Sequence, residues 1–242
     1  MLFQKDMKNL ISKYLNSYRQ THEVSNLILN KGCKTLEINN WVASDFIVKK
    51  LLPVVGTHPY PLTELHLMTA VVNLVKPDLI FEWGTHTGKS ARIFFEIIRY
   101  FKIPAKIYSV DLPDNIEHLE HPKSKRGLLV KKIKEVALIQ GDGVSESLKI
   151  YKKHKKHLKA LFFLDGDHSY KSVRRELSQI HKHVQTPFIL IHDTFYQSKS
   201  SKYNIGPFLA IKDFTSKYKK YKQISSFLGL PGITFLYPKK AL

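Results

Sequence analysis

From Pro77 onward, short apolar runs alternate with stretches whose apolar residues recur at helical spacing. The runs are DLIFEW (78–83), AKIYSVD (105–111), VALIQGD (136–142), ALFFLDGD (160–167) and PFILIHD (187–193). Between them the spacing predicts helices over about 88–101, 123–136, 143–156 and 169–184. Near-continuous apolar strands separated by helices predict a parallel sheet covered on both faces, a doubly wound α/β arrangement. The segment YKQISSFLGLPGITFLYP (221–238) reads instead as two strands joined through Leu230, Pro231 and Gly232, an antiparallel hairpin. Residues 1 to about 76 read as helical, in LISKYLNSYRQ, WVASDFIVKKLL and PLTELHLMTAVVNLV, with Pro59 and Pro61 separating the last two. The expected division is an N-terminal helical extension over 1–54, acting as a lid or in self-association, and a main domain over 55–242.

Composition narrows the class. A chain of 242 residues, 43% hydrophobic and 12% aromatic, can bury a sizeable core. No apolar run approaches the ~18 residues of a membrane span, and the opening MLFQKDMKNLISKYL carries charge throughout. Neither a membrane anchor nor a signal peptide is expected. A single cysteine, Cys33, excludes an intrachain disulfide and fits a reducing, cytoplasmic compartment. The formal charge of +19 would attract nucleic acid, anionic glycans or acidic membrane surfaces. Most of it is lysine, however, in helical polar faces such as KKIKE and YKKHKKHLK, and arginine stands only at Arg19, Arg92, Arg99, Arg126, Arg174 and Arg175. Readers of bases and phosphates favour the bidentate arginine fork, so a solvated lysine surface is the expected reading and nucleic acid is not the expected partner.

The stretch FEWGTHTGKS (81–90) ends like a phosphate loop. Such a loop needs four residues between its first glycine and the Gly-Lys pair, whereas Gly84 and Gly88 enclose only Thr85, His86 and Thr87. Glu82 is also a poor neighbour for a triphosphate and suits an ammonium group. A nucleotidase is therefore the last of the readings. Two glycines at a strand-to-helix turn let a backbone approach an adenosine-type cofactor, without the third glycine of the usual nicotinamide fingerprint. Asp111, at the end of the next run, would accept ribose hydroxyls, and Asp142 in QGDG would face the adenine edge. Each acid alone is as well read as a turn or cap residue; together, at successive strand ends, they favour an adenosine cofactor.

FEWGTHTGKSARI, LFFLDGDHSYKSVRREL and FILIHDT resemble the class I S-adenosylmethionine-dependent methyltransferases, in particular the group of cephalosporin-hydroxylase-like proteins and metal-dependent sugar O-methyltransferases. The resemblance spans roughly 55–238, with Asp-Gly-Asp-His-Ser-Tyr its most specific part. It implies a mostly parallel, seven-stranded Rossmann-like methyltransferase sheet, S-adenosylmethionine as cofactor, and an O-methyltransferase with a small-molecule or glycan acceptor, a sugar favoured. Glu82, Gly84, Thr85, Gly88, Ser90, Asp111 and Asp142 would bind the cofactor.

Asp165 and Asp193 end consecutive strand candidates, so both carboxylates should emerge at one sheet edge, where hard oxygen ligands suit Mg²⁺. His168, three residues past Asp165, could take a substrate proton. In the enzymes resembled, an acidic pair completes the metal site; here it reads His192-Asp193. The resemblance thus implies Asp165, His192 and Asp193 as ligands of a divalent ion, Mg²⁺ or Mn²⁺, and Asp165 with His168 as catalytic residues. Alternatively, His192 is a satisfied strand-end histidine, and Asp-Gly-Asp-His a turn in which Asp167 caps a helix. His154, His157, His181 and His183 read as solvated. His58 and His66 flank the main domain, in structural roles or lining the acceptor pocket. The polar loop YQSKSSKYNIGP (196–207) reads as a lid. The rival readings are an RNA methyltransferase, which would need an arginine-rich or aromatic-interleaved face, and a non-catalytic adenosine-cofactor-binding protein.

Overall fold

The computed structural model describes residues 25–26, 37–118, 123–154, 158–196, 204–226 and 228–241. The stretch LISKYLNSYRQ, Cys33 and most of the expected lid loop lie outside the described residues.

The apolar runs form the strands the pattern predicts: β3 (Leu79–Trp83), β4 (Lys106–Asp111), β5 (Val136–Gln140), β6 (Ala160–Leu164) and β7 (Phe188–His192). The hairpin supplies β8 (Tyr221–Ser225) and β9 (Ile233–Pro238), preceded by β1 (Ser25–Asn26) and β2 (Glu37–Ile38) in a separate antiparallel pair. The main sheet has seven strands in the order β5-β4-β3-β6-β7-β9-β8. Its first five are parallel, and β9 runs antiparallel to both β7 and β8. Every residue of β3, β6 and β7 is buried, as central strands covered on both faces require. The strand order reverses beside β3, where ligands of open α/β sheets bind.

Helices cover both faces. On one lie α1 (Asn40–Phe46), a π-helical turn over Ile47–Leu51, α2 (Leu52–Val55), α3 (Leu62–Val75) and α4 (Lys89–Tyr100), around Ile80, Ile107, Phe163 and Leu190. On the other lie α5 (Gly143–Lys153), α6 (Tyr170–His183) and α7 (Gly206–Lys217), around Phe81, Phe162 and Ile189. Asn39 opens α1 by accepting from the Val42 amide at 3.2 Å. The wide turn is followed by Pro53, which has no amide hydrogen to give. Phe46, Ile47 and Leu51 are fully buried in the cluster that holds Ile93 and Phe94, so this described part of the expected extension packs in the core.

Three expectations change. Residues 25–26 and 37–38 form a short strand pair rather than helix. Residues 123–136 form a 3-10 turn at Lys123–Lys125 and further turns. There the amides of Gly127 and Leu129 donate to the carbonyls of His86 and Thr87, at 2.8 and 3.0 Å, so the glycine loop takes bonds a helix would need. His181 is not simply solvated: it lies 3.9 Å from the Tyr218 ring centroid and 3.0 Å from the Tyr221 hydroxyl. Among the described residues, no helix is long and apolar enough to cross a membrane.

Candidate active site

The glycine loop turns from β3 into α4. Gly84 has φ +90°, and a Cβ there would stand 2.0 Å from the Asp165 carbonyl oxygen. Only glycine lets β3 pass the end of β6 so closely. Gly88, at φ +86°, precedes the first turn of α4, and a Cβ on it would meet Val130 Cγ2 at 2.9 Å.

Beneath the loop, Glu82 is fully buried and accepts from the hydroxyls of Ser90 and Ser109. Thr85 Oγ1 lies 2.6 Å from Ser109 Oγ. Burial lifts the Glu82 carboxyl to about 7, although the two hydroxyls pull the other way. Glu82, Thr85 and Ser90 thus form a polar brace under the loop. Asp111 at the end of β4 accepts from the amides of His86 at 2.9 Å and Leu112 at 2.8 Å, and Arg126 Nε stands 3.7 Å away. Asp142 caps α5 through the Ser145 amide at 2.9 Å and pairs with Arg175 at 2.6 Å. Burial works to raise its pKa, but hydrogen bonds from Arg175 and Ser145 leave it lowered. Glycine loop, Asp111 and Asp142 therefore occupy the carboxyl ends of three adjacent strands, the edge where ligands of open α/β sheets bind.

Beside them, Asp165, His168, His192 and Asp193 meet in one cluster. Asp193 takes the left-handed conformation at φ +57°, turning the chain sharply after β7. Its Oδ2 lies 2.6 Å from His168 Nδ1. His168 Nε2 faces Asp165 Oδ1 at 3.4 Å. Burial would depress His168, yet hydrogen bonds and charge from Asp165 and Asp193 raise it to about 10. Asp165 is held well below the usual carboxylate range: burial opposes this, and the charge of His192 and the bond to His168 overcome it. His192, nearly buried, places Nδ1 2.9 Å from Asp165 Oδ1 and Nε2 3.0 Å from Glu64 Oε2. Burial would lower its pKa too, but Asp165 and Glu64 carry it well above normal. Asp167 accepts from the Ser169 amide at 2.8 Å, and it is Ser169 that caps α6.

Two residues of this cluster escape the sequence reading. Tyr60, buried against His192 and Phe163, donates its hydroxyl to Asp165. Glu64, on α3, accepts from the Gly232 amide at 2.7 Å and faces His192. A signal for Glu64 existed: it falls on the stripe of Met68, Val71 and Val75, where a helix buries apolar side chains. An acid there needs a buried partner. Tyr60 carries no local signal of this kind. His58 and His66 stay at the periphery, His66 within 3.1 Å of Ser44 Oγ.

Both nitrogens of His192 face carboxylate oxygens, Nδ1 towards Asp165 and Nε2 towards Glu64. Among the described residues, no three acidic, histidine or cysteine side chains converge on an ion position. As placed, Asp165, His192 and Asp193 do not fit a three-ligand site.

Strand order, glycine loop and acidic strand ends define a class I S-adenosylmethionine-dependent methyltransferase. The family described as rhamnosyl O-methyltransferase/CmcI matches residues 59–234, and the chain belongs to that family. It is an S-adenosylmethionine-dependent O-methyltransferase. An O-methyltransferase from Bacillus cereus, solved with S-adenosylhomocysteine, superimposes with a TM-score of 0.52 at 12% identity, over 91% of this chain and 97% of that one. A methyltransferase from Podospora anserina, also bound to S-adenosylhomocysteine, gives 0.52 at 16% identity, over 86% and 100%. At these identities the likeness is one of fold. No curated protein matches the sequence.

Proposed function

We propose that the chain methylates a hydroxyl of a small molecule or glycan, a sugar hydroxyl being favoured by the family description. The observation that carries this reading is the contact of His168 with Asp193 at 2.6 Å beside the Gly84 loop, with His168 Nε2 facing Asp165 at 3.4 Å. Bound S-adenosylmethionine supplies a sulfonium methyl, which passes to the acceptor oxygen and leaves S-adenosylhomocysteine. Gly84 and Gly88 give the cofactor close backbone approach, Asp111 binds ribose and Asp142 stands on the adenine side. Glu82, Thr85 and Ser90 hold the loop in shape from below.

His168 is the group that would take the acceptor proton, with Asp193 fixing its ring through Nδ1. A base must first be neutral, and the two carboxylates hold His168 protonated until about pH 10. The positive charge of a bound cofactor would oppose that protonation. Asp165 fixes the opposite side of the ring and is itself fixed by Tyr60 and His192. No step is routed through a metal ion, because His192 is committed to Glu64 and Asp165.

Calorimetric titration with S-adenosylhomocysteine, with ATP as control, tests the cofactor site. Transfer of labelled methyl from S-adenosylmethionine to rhamnose-bearing glycans tests the acceptor. Binding of ATP in place of S-adenosylhomocysteine would sink the reading. The Mg²⁺ or Mn²⁺ reading is tested in the same cell: a metal heat abolished by Asp165→Ala would revive it.

A further inference from the structure

The head of α4 spells Gly88-Lys89-Ser90, and the three side-chain positions go three ways. Gly88 packs against Val130, and Ser90 points down to Glu82. Lys89 reaches sideways, where its ammonium donates to the His58 carbonyl at 2.5 Å. His58 belongs to the strap between α2 and α3, which starts at Gly56 with φ +67° and ends at Pro61, just before α3. Two residues beyond His58, Tyr60 turns inward, 3% exposed, and places its hydroxyl on Asp165. Its ring centroid lies 4.9 Å from that of His192 and 6.1 Å from that of Phe163.

We propose that Lys89 and Tyr60 are positioning residues for Asp165. Lys89 fastens the strap to the first turn of α4, and the strap holds the Tyr60 hydroxyl on the Asp165 carboxylate. The loop at the cofactor end is thereby coupled to the acceptor end. The coupling to a cofactor rests on the methyltransferase reading; the Lys89–strap–Tyr60 link does not. A lysine that would grip a phosphate in a longer loop here grips a carbonyl of its own chain. A neutral side chain of equal length could not do so, since the carbonyl needs a donor.

The test uses full-length protein carrying 3-fluorotyrosine and fluorine NMR, with the Tyr60 resonance identified by its loss in Tyr60→Phe. Asp165→Asn should shift that resonance, because it removes the charge accepting the hydroxyl. Lys89→Met should shift or broaden it with the fold intact by circular dichroism, and Lys89→Arg, which keeps a donor, should restore the wild-type position. Should Lys89→Met fail to fold, Lys89→Gln, too short to reach the carbonyl, serves in its place with the same expected result. Added S-adenosylhomocysteine should move the Tyr60 resonance in the wild type. In Lys89→Met that response should be lost while calorimetry still records binding. An unmoved Tyr60 resonance in folded Lys89→Met, or in Asp165→Asn, overturns the proposal. If S-adenosylhomocysteine gives no heat with the wild type, the cofactor reading falls instead, and the ligand-free spectra still decide the link.

Discussion

At Glu82, burial without a countercharge keeps a proton on the carboxyl to about pH 7. The ordinary value for this group is 4.5. Between those values the native state binds the extra proton, so the stability Glu82 contributes falls as pH rises through this window and is fully lost above it. Glu82→Gln should therefore gain stability over the wild type as pH goes from about 5 to 8, by at most about 3 kcal/mol. Thermal unfolding of both proteins across that range checks it, and a difference that does not grow with pH would contradict the assignment. Gly84 is less forgiving. A methyl group there meets a carbonyl oxygen at 2.0 Å in a left-handed conformation, so either β3 or β6 must move. We expect Gly84→Ala to cost about 3 kcal/mol or more and to abolish S-adenosylhomocysteine binding, read by denaturant unfolding and calorimetry.

The strands were legible as elements because each carries an unbroken apolar run between turn residues, and β3, β6 and β7 fall within a residue or two of the expected bounds. The hairpin was legible through Leu-Pro-Gly. Residues 123–136 were misread because helical spacing there competes with a tertiary demand: Gly127, at φ +62°, packs against Leu138 while its amide serves the glycine loop. In the site, acids at strand ends were visible, since a polar residue closing an apolar run stands out. Glu64 stands out as an acid on an apolar helix stripe, but its partner His192, 128 residues away, does not follow from any spacing rule, and Tyr60, 105 residues from Asp165, carries no local signal. The described end of the expected extension packs on the main domain. Phe46 packs against Tyr100 and Phe101, at centroid distances of 4.8 and 5.1 Å, at the end of the helix that begins with Lys89. Phe46→Ala should cost about 3–5 kcal/mol in a single unfolding transition. A separate, early transition confined to the mutant would show instead that the segment folds apart from the sheet.

Over the whole molecule, a charge of +19 coexists with a site whose own charges are paired inside it. The lysines act at long range and are screened by salt, whereas the cofactor cradle rests on backbone and hydrogen bonds. Between about 50 and 500 mM salt, S-adenosylhomocysteine affinity should change less than about twofold, while any RNA retention should collapse. RNA binding that survives high salt would favour the RNA methyltransferase reading. The bond from Glu64 to the Gly232 amide has a further consequence. It joins residues 168 positions apart, across the start of β9. The Glu64 carboxylate that faces His192 is thus held from the turn that opens β9, so the cluster is complete only in a chain whose β9 has paired with β7.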